Sequence, residues 1–180
     1  HTDHQLGRVL AAAVTMDTRA VVAKRADNIV RIHSQGYTPL CVSLDQLAPD
    51  EAENNASEAL VRGIAEKLQL DGRKIGGFDA VTASDVPKGS GLSSSAAFSI
   101  LVCTIFSELY NDGQITPVEQ ALASKYAENK HFGKPSGLMD QLACAVGGFI
   151  AIDFEQPEEP KIEKVECDLN ALGYAICIVN

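Results

Sequence analysis

Apolar residues along the first third of the chain follow a short period. Small and β-branched residues dominate from Val9 to Ala26 and again from Asn28 to His33. AVTMDTRAVVAK and NIVRIHS therefore predict consecutive strands, with a turn at Arg25–Asn28. TPLCVSLDQL, from Thr38 to Leu47, predicts a third strand after the turn signal at Gly36. Pro49 to Asn55 is acidic and polar and predicts a loop or a helix entry. The period then lengthens: Leu60, Ile64 and Leu68 recur on one helical face. A helix is predicted over Ser57–Leu70, capped by Ser57 and stopped by Asp71-Gly72, with Arg62 and Lys67 on its solvated face.

The pattern is most distinctive from Ala80 to Ser99, AVTASDVPKGSGLSSSAAFS. A strand from Gly77 to Ser84 ends near Pro87, which favours a turn. Gly89 and Gly91 permit backbone conformations that a side chain would block. Ser93, Ser94 and Ser95 lead into a helix from Ser94 to Tyr110 that is apolar on nearly every side, and such a helix is buried. A loop anchored on a buried helix presents unpaired N–H groups and a positive dipole end, a ready site for phosphate. The bland alternative is a Gly/Ser linker with a serine cap.

Asn111-Asp112-Gly113 predicts a turn, and Thr116-Pro117-x-Glu119 a helix start. That helix is expected to reach Asn129, with Glu128 near its end, where the dipole disfavours a carboxylate. Glu128 is then either a surface residue or one offset by a cation. Gly133, Pro135 and Gly137 predict a bend that projects Asp140 from the start of a helix over Leu138–Val146. Taken alone, Asp140 reads as an N-terminal helix carboxylate rather than a base. Gly147-Gly148 ends that helix, FIAIDF is a strand, and Glu155 to Glu166 an exposed hairpin or linker. GYAICIVN is a β run that stops abruptly. Because the first residue is His1 rather than Met, both ends are expected to be incomplete.

With 180 residues, 46% of them hydrophobic, the chain can build a sizeable core. A net charge of −9 argues against nucleic acid as a partner. The longest apolar stretch, around Ile100 to Phe106, is too short to span a bilayer. Five cysteines without a CxxC pair point to a reducing cytoplasm, four of them in apolar sequence and expected to be buried. The four histidines show no zinc spacing. HTDH at the start reads as a solvated loop, or as a set of hydrogen-bonding groups for a polyol.

HTDH, PKGSGLSSSAA and GKPSGLMDQ, in that order and at that spacing, resemble the GHMP small-molecule kinases, and within them the galactokinase branch. The loop signature is shared by the whole superfamily; HTD with SGLMDQ is much more specific to the galactokinase branch. The resemblance implies an α+β fold, a mixed sheet with helices on one side (ribosomal protein S5 domain 2-like). Residues 1–154 would form the N-terminal domain, 155–180 a charged connection and the start of the rest, and a ferredoxin-like C-terminal domain would be largely absent. It implies ATP- and Mg²⁺-dependent phosphorylation of a monosaccharide, galactose first, at its anomeric hydroxyl. Gly89, Ser90, Gly91, Leu92, Ser93, Ser94 and Ser95 would wrap the ATP phosphates. Ser95 and Glu128 would serve Mg²⁺, and Asp140 would take the alcohol proton. His1, Thr2, Asp3, Ser136, Gly137 and Asp140 would contact the sugar.

The chain departs from the family in three places. The arginine and glutamate that precede HTD in the family are absent, and Arg8 lies on the wrong side of the motif to replace the former. The sugar-packing tyrosine falls after the last residue. No tryptophan exists to face the purine near Ser57, although Ser34 is placed near the base. The 180 residues alone are accordingly expected to have little kinase activity, and the full-length protein to be a monomer. A non-catalytic sugar sensor on the same scaffold, or a kinase for another sugar, is the alternative. Mevalonate- or homoserine-type alcohols fit the motifs less well. A Rossmann site lacks its third glycine and its acidic residue.

Overall fold

Residues 18–84 build the larger of two sheets. The computed structural model describes residues 6–87, 89–169, 171–175 and 177. Strands β1 (Arg8–Ala12), β2 (Thr18–Lys24), β3 (Ile29–Ser34) and β4 (Leu40–Ser43) come first. A 3-10 turn over Glu51–Glu53 leads into helix α1 (Ser57–Leu70), then β5 (Phe78–Ser84). Helices α2 (Ser94–Tyr110) and α3 (Pro117–Ala127) follow, and α3 runs on into a π turn over Glu128–Phe132. Helix α4 (Met139–Val146) and the strands β6 (Phe149–Asp153) and β7 (Lys161–Val165) complete the order.

The larger sheet has the order β2-β5-β3-β4 and is mixed, because β3 runs parallel to β5 while the other pairs are antiparallel. Alternation assigns its faces. Val30, Ile32, Val42, Phe78 and Ala80 point inward and are buried. Val21, Arg31, His33, Cys41 and Val81 point outward and are exposed. Helices α1 and α2 cover the inner face alone. Phe78 meets Phe106 of α2 edge to face at 5.4 Å, a favoured aromatic geometry. The smaller sheet, β1-β6-β7, is wholly antiparallel. Its core of Ile150, Ile152 and Phe154 packs on Leu138 and Leu142. Helix α3 serves both cores: Ala121 faces the second, and Ala123 and Ala127 the first.

The α+β class, the mixed strand directions and the one-sided helices agree with the sequence reading. Several details differ. The run from Val9 to Ala26 is two strands in different sheets, since β1 pairs with β6 and β2 with β5. Local pattern marks extended chain but carries no information about which distant strand it meets. Ala56, not Ser57, occupies the cap position of α1, without a side-chain bond. Arg62 is not solvated. Its side chain is 11% exposed and grips the Glu53 carboxylate with two N–H groups, and it also donates to the carbonyls of Ser43 and Gln46. The acidic loop folds back over α1 and covers it. Cys103 is buried as expected, but Cys41, Cys144, Cys167 and Cys177 are exposed. Cys41, for example, falls on the outward register of β4. Gly173, Tyr174, Ala175 and Cys177 lie in no strand, and the other half of the expected closing β run falls outside the described residues.

Two contacts give tests of this packing. A Cβ at Gly63 of α1 would lie 2.7 Å from the Ala127 Cα and 2.8 Å from the His131 ring. Gly63→Ala is expected to push α3 away at a cost of about 1–3 kcal/mol, read from the urea midpoint. At the β2–β3 turn, Arg25 bonds both Asp27 and Asp79, and its guanidinium holds the Asp27 carboxyl down at about 2 against its ordinary 3.8. A depressed carboxyl stabilises the fold above the unfolded pKa and loses that contribution as pH falls through the folded one. Thermal melts from pH 4 to 2 should therefore show a smaller acid loss in Asp27→Asn than in the parent.

Candidate functional site

The chain leaves β5 and turns at Pro87, whose carbonyl accepts from the Ser90 hydroxyl at 2.8 Å. Gly89 and Gly91 then adopt φ of +73° and +75°, a left-handed backbone that suits glycine. A Cβ at either would meet nothing within 4 Å, so the requirement there is conformational and the space beside the loop is open. Ser93 repeats the left-handed conformation with φ of +53°. Positive φ at three alternate residues is the kind of backbone from which anion nests are made. The loop from Gly89 to Ser95 lines a hollow of about 260 Å³ with Pro87 and Lys134.

Helix α2 begins at this hollow. Its first turn holds no acidic residue, and Ser93 at the cap position makes no capping bond. The first N–H groups therefore lack a side-chain cap, and the dipole there favours an anion. Val102, Cys103 and Phe106 of the same helix are fully buried, so the loop is fixed to the core rather than hung in solvent.

The Ser93 hydroxyl donates instead to the Asp140 carboxylate. Asp140 sits exposed in the first turn of α4. A carboxylate 47 positions along the chain from Ser93 is thus tied to the loop that lines the hollow. Its neighbour Gln141 is buried and reaches the other way, donating from Nε2 to Glu128 at 2.8 Å.

Glu128 is only 2% exposed, which removes the surface alternative. It lies where α3 passes into the π turn, and the expected helix to Asn129 is α-helical only to Ala127. Among the described residues no cation lies within ion-pair distance of Glu128. The Gln141 Oε1 beside it is buried without a partner. The Glu128 carboxylate and the orphaned amide oxygen beside it are hard oxygen donors of the kind a small divalent cation accepts, as is the Ser95 hydroxyl on the loop. Among the described residues no three His, Cys, Asp or Glu side chains gather into a cage.

The π turn also fixes the next segment. Asn129 Oδ1 accepts from the Ser136 backbone N–H at 2.7 Å and from its hydroxyl at 3.3 Å. Behind the turn, His131 Nε2 lies 2.8 Å from Glu66 of α1, and the Tyr126 hydroxyl donates to the same carboxylate oxygen. Burial and that carboxylate push the Tyr126 phenol up to about 12.

The structure thus connects the Gly89–Ser95 loop, Asp140 and Glu128 through Ser93 and Gln141, and holds Ser136, with Gly137 after it, on the π turn. His1, Thr2 and Asp3 lie outside the described residues. The Ser34 hydroxyl pairs with Thr82 at 2.7 Å, and Ser34 lines a second hollow, on the outer sheet face, with Val21, His33 and Val81. Gln141, Asn129 and Lys134 were not singled out by sequence. Gln141 was signalled only by standing next to Asp140, and Lys134 by a charge set between Gly133 and Pro135.

Residues 59–148, half of the chain and the span from α1 to the end of α4, match the family model described as the GHMP kinases N terminal domain. This chain belongs to the GHMP kinases. It is 34% identical over 147 residues to the galactokinase of Clostridium tetani, a match that covers 82% of this chain and 37% of that protein. The crystal structure of Lactococcus lactis galactokinase complexed with galactose superposes with a TM-score of 0.81 at 26% identity, over 94% of this chain and 44% of that one. Methanococcus jannaschii mevalonate kinase superposes with a TM-score of 0.71 over 94% of this chain and 52% of that one; at 17% identity this likeness shows the fold alone. The chain spans well under half the length of the curated galactokinase it matches. It carries the N-terminal GHMP kinase domain, and no helix among its described residues is long and apolar enough to cross a membrane.

Replacing Gln141 with Met would leave the buried Glu128 carboxylate without its donor. This is expected to cost about 1–3 kcal/mol of stability, measured by urea denaturation, with the far-ultraviolet spectrum unchanged.

Proposed function

We propose that this chain is the nucleotide-binding, base-bearing part of an ATP- and Mg²⁺-dependent sugar 1-kinase, with galactose as the first candidate substrate. One observation carries the reading: an exposed aspartate from a different helix is bonded to the glycine loop that lines the hollow. A base and a phosphate cradle are useful together only if an acceptor hydroxyl is to meet a phosphate. The 34% identity to a galactokinase supports a sugar as that acceptor. So does the 0.81 superposition on a galactokinase holding galactose.

In this reading the loop amides from Gly89 to Ser95 bind the ATP phosphates, and Lys134 adds a positive charge at the rim. Ser95 and Glu128 hold Mg²⁺, which when bound offsets phosphate charge. Ser136 and Gly137, with His1, Thr2 and Asp3, contact the sugar. Asp140 accepts the proton of the anomeric hydroxyl. That oxygen bonds to the γ-phosphorus as the bond to the β–γ bridging oxygen breaks, and ADP leaves with the electron pair. Such catalysis is mainly positioning and charge stabilisation. Residues 1–154 form the working unit of this half. The 180 residues by themselves are expected to turn over little substrate. The four exposed thiols suit a reducing compartment such as the cytoplasm.

In the whole protein, Asp140→Asn is expected to lower kcat by about 10²–10⁴-fold or more while sugar binding persists. Sugar phosphate formed from labelled ATP, with sugar binding by calorimetry, tests this. A retained rate removes Asp140 as the base. Sugar and ATP binding by the parent without any product would make it a sensor rather than a kinase.

A further inference from the structure

Ser93 occupies a conformation that its side chain ought to avoid. A helix cap normally has an extended backbone and turns its oxygen onto the first turn. Ser93 does neither: φ is +53°, ψ is +56° and no capping bond is made. The same loop places glycine at two other left-handed positions, Gly89 and Gly91. Glycine at position 93 would satisfy the backbone without strain, so the serine is retained against local preference. Strain of this kind persists where the surroundings over-determine it, and it concentrates at functional sites.

What the serine gains is the hydrogen bond to Asp140 Oδ2. Among the described residues no other hydrogen bond to that carboxylate is present, so Oδ1 is left to accept. The arrangement also keeps the serine oxygen off the start of α2, whose N–H groups stay available to an anion.

We propose that Ser93 is a positioning residue. It fixes the Asp140 carboxylate by one oxygen, directs the other toward the acceptor hydroxyl, and references the base to the same backbone that cradles the phosphate. A nucleotide contact by this hydroxyl, the role implied by motif alone, is not what its geometry serves. The inference rests on the kinase reading, with Asp140 as base.

The test compares Ser93→Gly with Ser93→Ala in the whole protein. Glycine removes the hydroxyl and the strain together; alanine removes the hydroxyl and keeps the strain. Ser93→Gly is expected to melt at or above the parent temperature while its kcat falls at least about tenfold, with KM for ATP within about twofold of the parent. Ser93→Ala is expected to melt lower and to lose kcat to a similar extent. The proposal is overturned if Ser93→Gly keeps its kcat. It is equally overturned if the main effect is a raised KM for ATP, which would give the hydroxyl to the nucleotide. A lower melting temperature in Ser93→Gly would show that the serine is not strained and would also overturn it. Asp140→Asn in parallel separates the two levels: if it retains full rate the base assignment fails, whereas a dead Asp140→Asn beside a fully active Ser93→Gly defeats only the role of Ser93.

Discussion

A buried hydrogen bond between the Gln141 amide and the Glu128 carboxylate holds the site's two halves in register. Glu128 ends α3 and Gln141 opens α4, and both side chains are removed from water. A carboxylate in such a place is costly unless partnered. The bond therefore sets how α4 sits against α3, and α4 carries Asp140 as its next residue outward. Through Asp140 the register passes to Ser93 and the glycine loop. One polar contact inside the fold thus governs the separation of two groups on its surface.

The π turn contributes from the other side. It bends the chain so that Gly133, at φ of +80°, can lead back toward α4. The N–H of Lys134 closes the turn on the Glu128 carbonyl at 3.0 Å. Its outer side presents Asn129 to Ser136, and its inner side seats His131 against Glu66 of α1. Gly63 makes this seat possible, since any side chain there would strike the Ala127 backbone.

The sequence made some of this legible because the relevant physics is local. The α2 limits and the start of α3 follow from turn and cap chemistry: Thr116 and Glu119 form a reciprocal capping box as their spacing demands. The phosphate loop follows from glycines that need left-handed backbone. What could not be read depends on contacts between distant residues. The period of Val9 to Ala26 is strand-like throughout, yet β1 and β2 find partners in separate sheets. Arg62 has a surface residue's spacing and is covered by a loop that precedes it. Cys41 lies in apolar sequence yet is exposed, because register, not neighbours, decides the face. Glu128 was flagged as awkward for its helix, but only the structure shows that Gln141 meets it.

Helix α3 meets the first core through Ala123 and Ala127, and the second through Ala121 with Val118 and Leu122 beside it. A methyl group has no rotamers with which to absorb a shift. Where Ala127 meets Gly63, a shift of α1 is thus passed straight to the backbone of α3. The seat of the π turn against α1 is accordingly set by main chain resting on main chain, inherited from the smallest side chains at positions remote from any reacting atom.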